Sequence, residues 1–306
     1  MTIQLGRTLK LYLVDGTPSG VITGELGVSS MRAAVASRTA LPELIKRKEA
    51  SQTGIYLLAG PDPDLPTRDL VYVGEGDQVK SRLAAHDSDE SKDFFTRAVF
   101  VVSKDENLTK AHGRYLESRL ISQIKTAGRA RLANGTAPDF AGLPEPEIAD
   151  MERVLAEIEV LLPVLGFDVL RPVGKPILAV SSGDAEAQSR IFKYEYQDTV
   201  ARAKESGGEF ILLEGSQVRR RETPTCNDAA RRNRAEALEA GDLVEIPGDD
   251  TRWKTAKDLV FRSPSGAASF VYGGSISGPQ YWTDETSGKS YAELRAEELE
   301  GASADE

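Results

Sequence analysis

Cysteine is nearly absent from the chain. Cys226 stands alone, so no internal disulfide can form, and with only His86 and His112 beside it there are too few soft ligands for a structural zinc site. Any metal must therefore sit on oxygen. Long apolar runs are missing as well, and no segment is long enough to span a bilayer. The opening MTIQLGRTLKLYLVDG lacks the basic stretch, apolar run and small-residue cleavage site of an export signal, so a cytoplasmic protein with no membrane partner is expected. Positive charge is outnumbered. A formal net charge of -10 argues against nonspecific coating of nucleic acid, which is driven by lysine and arginine displacing phosphate counterions. The charge is uneven, however: LPEPEIADMERVLAEIE and AELRAEELEGASADE are acidic, whereas VRRRETPTCNDAARRNR is strongly basic. The global count leaves a DNA or RNA partner open.

With 306 residues, 40% of them hydrophobic, the chain suits two globular domains. LKLYLVDGTPSGVITGEL alternates around Asp15-Gly16 and predicts a hairpin, and LPELIKRKEA a short helix; together, residues 1–50 form a brace for the neighbouring domain. Residues 51–140 read as strand TGIYLLAG, loop PDPDLPTRD, strand LVYVGEG, a helix N-capped by Asp77 with Val79 and Leu83 on one face, and strand RAVFVVSK. A helix striped by Leu116, Leu120 and Ile124 comes next, then the loop RLANGTAP. Residues 141–190 read as a connecting helix, EIADMERVLAEIEVLLPVLGFDVLRP, and a linker, ILAVSSGDAEAQSR. Residues 191–306 form a second domain with an acidic tail that frays from a polar helix. The fold class is α/β: a small, mainly antiparallel sheet flanked by helices, then an α+β domain.

Gly54-Ile55-Tyr56 and Tyr72-Val73-Gly74, succeeded in order by Arg82, His86, Glu117 and Asn134, form a series. Singly, each has an ordinary reading. Tyrosines favour strands, Arg82 and His86 can form a solvated helix face, Glu117 can pair with Arg114, and Asn134-Gly135 is a common turn. The joint order and spacing favour a site. The residue types suit phosphodiester cleavage, where charge builds on phosphate and leaving oxygen. A guanidinium such as Arg82 matches phosphate oxygens and stays charged; His86 lies one helical turn beyond it. A carboxylate such as Glu117, with substrate phosphate, makes a shell for Mg²⁺.

From about Gly54 to Pro138, these motifs resemble the GIY-YIG nuclease superfamily. LYLVDGTPSGV, SKDENLTKAHGRYLESRLI and LPVLGF, with the later block SPSGAASFVYGGSISGPQYW, further resemble a bacterial subfamily that carries a C-terminal domain of unknown function. The resemblance implies a GIY-YIG-type endonuclease, with Glu117 binding Mg²⁺ or Mn²⁺ and DNA as the expected substrate. It also implies that Tyr56 activates or positions the attacking water, that Tyr72 orients the phosphate, and that His86 and Asn134 support them. Two features depart from the pattern. Glu75 stands where some relatives have a lysine and could compete for metal, and the loop between the motifs, within residues 57 to 71, is long. The alternative reading is a non-cleaving nucleic-acid-binding or adaptor protein on the same scaffold.

The second domain offers a nucleic-acid patch of Arg219, Arg220, Arg221, Arg231, Arg232 and Arg234, against which stands internal pairing with Glu222, Asp228 and Glu236. Trp253 and Trp282 are either stacking surfaces or core anchors. A protein partner recruited through this domain is a third reading. His112 reads as structural or peripheral and Cys226 as a free thiol.

Overall fold

The computed structural model describes residues 6–63, 68–135, 142–171, 190–206 and 208–304, and it divides into two units, Met1–Pro172 and Val173–Glu306. The protein is mixed α/β. Among the described residues no helix is long and apolar enough to cross a membrane.

The first unit runs β1 (Leu9–Leu13), β2 (Ile22–Leu26), β3 (Met31–Ser37), α1 (Leu41–Ile45), β4 (Gly54–Pro61), β5 (Asp69–Gly76), α2 (Val79–Asp87), β6 (Arg97–Ser103), α3 (Lys110–Ala127), β7 (Ala130–Leu132) and α4 (Glu145–Val164). Its strands form one seven-stranded sheet in the order β1-β2-β3-β6-β4-β5-β7. Every pairing is antiparallel except β5 with β7. The sheet is therefore larger than the sequence suggests. The expected hairpin brace is its outer edge, with β1 and β2 paired from Leu9↔Leu26 to Leu13↔Ile22.

Successive side chains on a strand point to opposite faces, and β4 is buried on both. Ile55, Leu57 and Ala59 join one core with α3 and α4, while Tyr56 and Leu58 join a second with α1 and α2. The helix expected as a connector is part of the first core. Met151, Leu155, Ile158, Leu161 and Leu162 of α4 are buried, a helical-period stripe that needs a sheet to cover it. The loop expected after α3 begins instead as β7, whose residues pair with Asp69 to Val71 of β5. Asp77 does not cap α2: the N-cap is Gln78 with no side-chain cap, and the Asp77 carboxylate pairs with Lys110 at 3.1 Å.

The second unit runs β8 (Ile191–Tyr196), β9 (Thr199–Ser206), β10 (Glu209–Leu212), β11 (Gln217–Arg219), α5 (Asp228–Glu239), β12 (Leu243–Ile246), β13 (Asp249–Thr255), β14 (Leu259–Phe261), α6 (Pro264–Tyr272), α7 (Gly278–Tyr281), β15 (Trp282–Asp284) and α8 (Tyr291–Ala304). Its sheets are β14-β10-β9-β8-β15 and β11-β13-β12. A separate core gathers Phe192, Tyr194, Phe210, Phe270, Val271 and Trp282. Apart from Arg190, the expected linker lies outside the described residues.

Candidate active site

Strands β4 and β5 pair with Tyr56 opposite Gly74, and that register explains the glycine. A Cβ on Gly74 would stand 2.3 Å from the Tyr56 hydroxyl oxygen and 2.4 Å from Cζ, so the missing side chain is the space in which the phenol lies. Gly76 does the same for Arg82, whose Cγ would be 2.8 Å from a Cβ there. Gly113 lets α3 approach Glu75, with a Cβ only 3.3 Å from the Glu75 Cβ. The glycines thus admit the side chains of Tyr56, Arg82 and Glu75 to one end of β5. Gly74→Ala is expected to cost about 1–3 kcal/mol by overpacking and to displace the Tyr56 hydroxyl. A lowered urea midpoint measures the first effect.

On the α2 face of the sheet, Tyr56 is fully buried and its hydroxyl shares a 2.8 Å hydrogen bond with His86 Nε2. Tyr72 packs edge-on to His86 with ring centroids 5.0 Å apart, and its own ring lies under Lys92 Nζ at 4.5 Å. Burial pushes the Tyr56 pKa well above a free phenol, with Tyr72 adding to the rise; Arg82 pulls it down but does not offset the burial. This bears on the base role implied for Tyr56: its hydroxyl keeps its proton near neutral pH. His86 is pushed the other way, its pKa lowered by burial and then by Lys92 and Arg82, so the imidazole is neutral and able to accept a proton.

On the α3 face, Glu75 comes two residues after Val73 by alternation, and its charge acts on Glu117. Burial and then the Glu75 charge push the Glu117 carboxyl up to about 7, against the opposing pull of Arg82 and Arg114. Arg114 sits 3.9 Å from Glu75, so the pairing of Arg114 with Glu117 considered from sequence is not the ion pair formed. Arg82, exposed at the end of β5, acts on Tyr56 and Tyr72 from one face and on Glu75 and Glu117 from the other. It joins the two halves of the site.

Five of the sequence-derived residues, Tyr56, Tyr72, Arg82, His86 and Glu117, therefore converge. Asn134 stands behind them. Its amide oxygen accepts from Val73 N at 3.0 Å and its Nδ2 donates to Val73 O at 2.8 Å, continuing the β5–β7 ladder with a side chain in place of backbone. It is a positioning residue for the Tyr72 strand. His112 is peripheral, closing the capping box of α3 with Thr109 and pairing with Glu147 at 2.9 Å.

Sequence reasoning missed Lys92, which reaches Tyr72 only because a short turn after α2 folds back. Among the described residues no group of three or more His, Cys, Asp or Glu is arranged to hold a metal. The two-carboxylate arrangement still suits a hard cation shared with substrate oxygens: Glu75 Oε2 is buried with no hydrogen-bond partner, an orphaned acceptor that a cation would satisfy.

In the second unit the arginines do not form one patch. Arg234 is 1% exposed, donates to the backbone carbonyls of Phe270 and Arg219, and lies 3.5 Å from Glu222, so it is a buried structural tie rather than a phosphate contact. Arg231 pairs with Glu222 and Asp228, and Arg220 with Glu245. Arg219 donates to Gln197 Oε1 and stacks on Tyr272, while Arg221 and Arg232 are exposed. Trp282 is fully buried and Trp253 is packed under Arg220 and Arg234, so both are anchors; Cys226 is a buried free thiol.

The glycines of this unit are as tightly placed as those of the site. A Cβ on Gly278 would come 2.3 Å from the Pro264 carbonyl, and one on Gly274 2.0 Å from Thr223 Oγ1. Residues 192–295 match the model of DUF4357, a domain of unknown function. No curated protein and no solved structure matches the chain. Within the matched residues, the close-packed GGSISGPQYW block carries α7 and the buried Trp282.

Proposed function

We propose that the chain is a divalent-metal-dependent endonuclease of GIY-YIG type that hydrolyses phosphodiester bonds in DNA. The supporting observation is the convergence of two phenols, a neutral imidazole, a guanidinium and two carboxylates, drawn from β4, β5, α2 and α3, on one end of the sheet. It agrees with the motif resemblance over the same residues.

Arg82 binds a non-bridging phosphate oxygen and stays charged at any working pH. Tyr72, with Lys92 above its ring, orients the phosphate. His86 Nε2 is the proton acceptor, taking a proton from the attacking water by way of the Tyr56 hydroxyl that it holds at 2.8 Å. Tyr56 is thus a relay and an anchor rather than a phenolate base. Glu117, with Glu75 beside it, would hold Mg²⁺ or Mn²⁺, and the ion when bound supplies Lewis-acid stabilisation of the charge developing on phosphate and leaving oxygen. The lysine absent at position 75 is in this reading replaced by a second carboxylate.

The test is cleavage of supercoiled, linear, branched and single-stranded DNA, and of RNA, with Mg²⁺ or Mn²⁺. Metal-dependent cutting of one DNA class is expected, abolished by EDTA. Binding without cutting under every metal condition would favour the adaptor reading instead. As a separate expected outcome, His86→Ala lowers the rate by about 10²–10⁴-fold, the usual contribution of a positioned acid–base group; an unchanged pH–rate profile in that variant would remove His86 from the proton path.

A further inference from the structure

A second constellation lies inside the DUF4357 match. Tyr196 at the end of β8, Tyr272 at the end of α6 and Tyr281 at the end of α7 come together, with Tyr196 centred 5.7 Å from Tyr272 and 4.9 Å from Tyr281. All three rings are partly exposed. Beneath them Tyr194 is completely buried, and its hydroxyl has no hydrogen-bond partner. The groups acting on that hydroxyl are Tyr272, Arg219, Tyr196 and Tyr281, so it is aimed into the cluster. A buried hydroxyl left unsatisfied costs stability, so the fold carries a cost beneath this cluster.

Two further features bear on what the three partly exposed rings bind. The Arg219 guanidinium lies over the Tyr272 ring, 4.8 Å from its centroid, and no carboxylate ion-pairs with it among the described residues. A cluster of tyrosines alone would suit a quaternary ammonium ligand. Here the cation–π position is already filled, and a second cation would be repelled. The cluster instead suits a flat, neutral ring next to a negative charge. The backbone is also committed to this shape: Gln197 and Asp198, at the turn after β8, hold φ of 48° and 58°, and Gln197 bonds both the Tyr196 hydroxyl and Arg219. Non-glycine residues held in that region mark places where the surrounding structure fixes a loop.

We propose that Tyr196, Tyr272 and Tyr281, with Arg219, form a binding site for an unpaired nucleobase and its adjoining phosphate in single-stranded nucleic acid. The partly exposed rings stack the base, and Arg219 takes the phosphate. Exposed Arg221 continues the basic strand, its carbonyl packed against Gly273 directly after Tyr272. Stacking of this kind is tolerant of sequence and recognises single strands over duplexes. The site does not depend on cleavage at the first unit.

The test uses the full chain in EDTA with a fluorescently labelled 12-nucleotide oligothymidylate, its duplex with oligoadenylate, and a single strand carrying 2-aminopurine as a stacking reporter. The wild type is expected to bind the single strand and to change the 2-aminopurine emission. Tyr272→Ala and Tyr281→Ala are expected to weaken binding by roughly 5- to 150-fold, the equivalent of the ~1–3 kcal/mol that one base–aromatic stack contributes. Tyr272→Phe should retain binding, which separates stacking from lost packing. Arg219→Gln should flatten the salt dependence by about 0.7 in log–log slope, one phosphate's share for a single strand. Unchanged affinity in folded Tyr272→Ala and Tyr281→Ala would overturn the proposal. So would equal preference for the duplex, or capture of an acidic peptide in place of the oligonucleotide.

Discussion

Glu117→Gln is expected to lower divalent-dependent cleavage by on the order of 10²–10³-fold, the loss typical of removing one preorganised electrostatic group, and at the same time to make the protein more stable above neutral pH. The two effects have one cause. Burial and the facing Glu75 raise the Glu117 carboxyl from 4.5 to about 7 in the folded chain. Between those values the folded state binds a proton that the unfolded state has released, so the contribution of Glu117 to stability is complete below pH 4.5 and is lost as pH rises through about 7. The charged form at pH 8 carries a cost, reduced by solvent because the group is only half-buried, that the isosteric amide does not incur. Thermal unfolding of wild type and Glu117→Gln at pH 5 and pH 8 reads it directly: the gap between the variants should open at the higher pH. A gap that is the same at both would mean that the carboxyl is not held in this environment.

The same carboxyl sets an acid limb for activity. A protonated Glu117 cannot bind a divalent ion, so cleavage should rise with pH through about 7 and metal affinity should rise with it. Binding of Mn²⁺ monitored by calorimetry separates this from His86, which loses its proton at lower pH because its pKa is depressed by burial. A pair of carboxylates that is costly alone and satisfied by a cation is the arrangement expected where stability has been given up for function.

Local interactions were legible in the sequence, and distant ones were not. The β4–β5 hairpin could be read because its apolar run and glycines lie within one pairing, and α3 because Leu116, Leu120 and Ile124 repeat with a helical period. Residues of one motif also announce one another, which is why Tyr56, Tyr72, Arg82, His86 and Glu117 could be named together. What could not be read depends on partners far away in the chain. α4 looks like a connector until the sheet that buries Met151 and Leu155 is in view. Asp77 looks like a helix cap until Lys110 claims its carboxylate. Glu75 registers as an anomaly in a motif, and only the approach of α3 over Gly113 shows that it opposes Glu117. Arg234 illustrates the reverse error. A charge in a basic run reads as surface, yet three backbone carbonyls and Glu222 hold it in the interior. Composition counts charges but does not say which have been taken out of water.

Trp282→Ala is expected to destabilise the second unit by about 3–5 kcal/mol, the cost of truncating a large buried aromatic, which is a large share of the roughly 5–15 kcal/mol that holds a typical domain folded. The indole is fully buried, centred 5.1 Å from Phe210 and 5.4 Å from Tyr194, and its Nε1 donates to Pro264 O at 3.0 Å. That carbonyl is also the atom group against which Gly278 packs so closely that no Cβ fits. Removing the indole therefore empties the core and frees the contact that seats α7 on the start of α6. Both tryptophans of the chain lie in this unit, so in Trp282→Ala the remaining Trp253 reports its unfolding alone. The urea midpoint read by Trp253 emission should fall steeply, whereas Trp282→Phe, which keeps most of the ring volume and loses only the Pro264 bond, should fall less. A midpoint left in place by Trp282→Ala would mean that the core collapses around the cavity or is held from elsewhere. Since β15 sets Trp282 opposite Tyr194, the tyrosine site above that ring should weaken in parallel with the midpoint. Single-strand binding that survived the truncation would place the stacking surface outside this core.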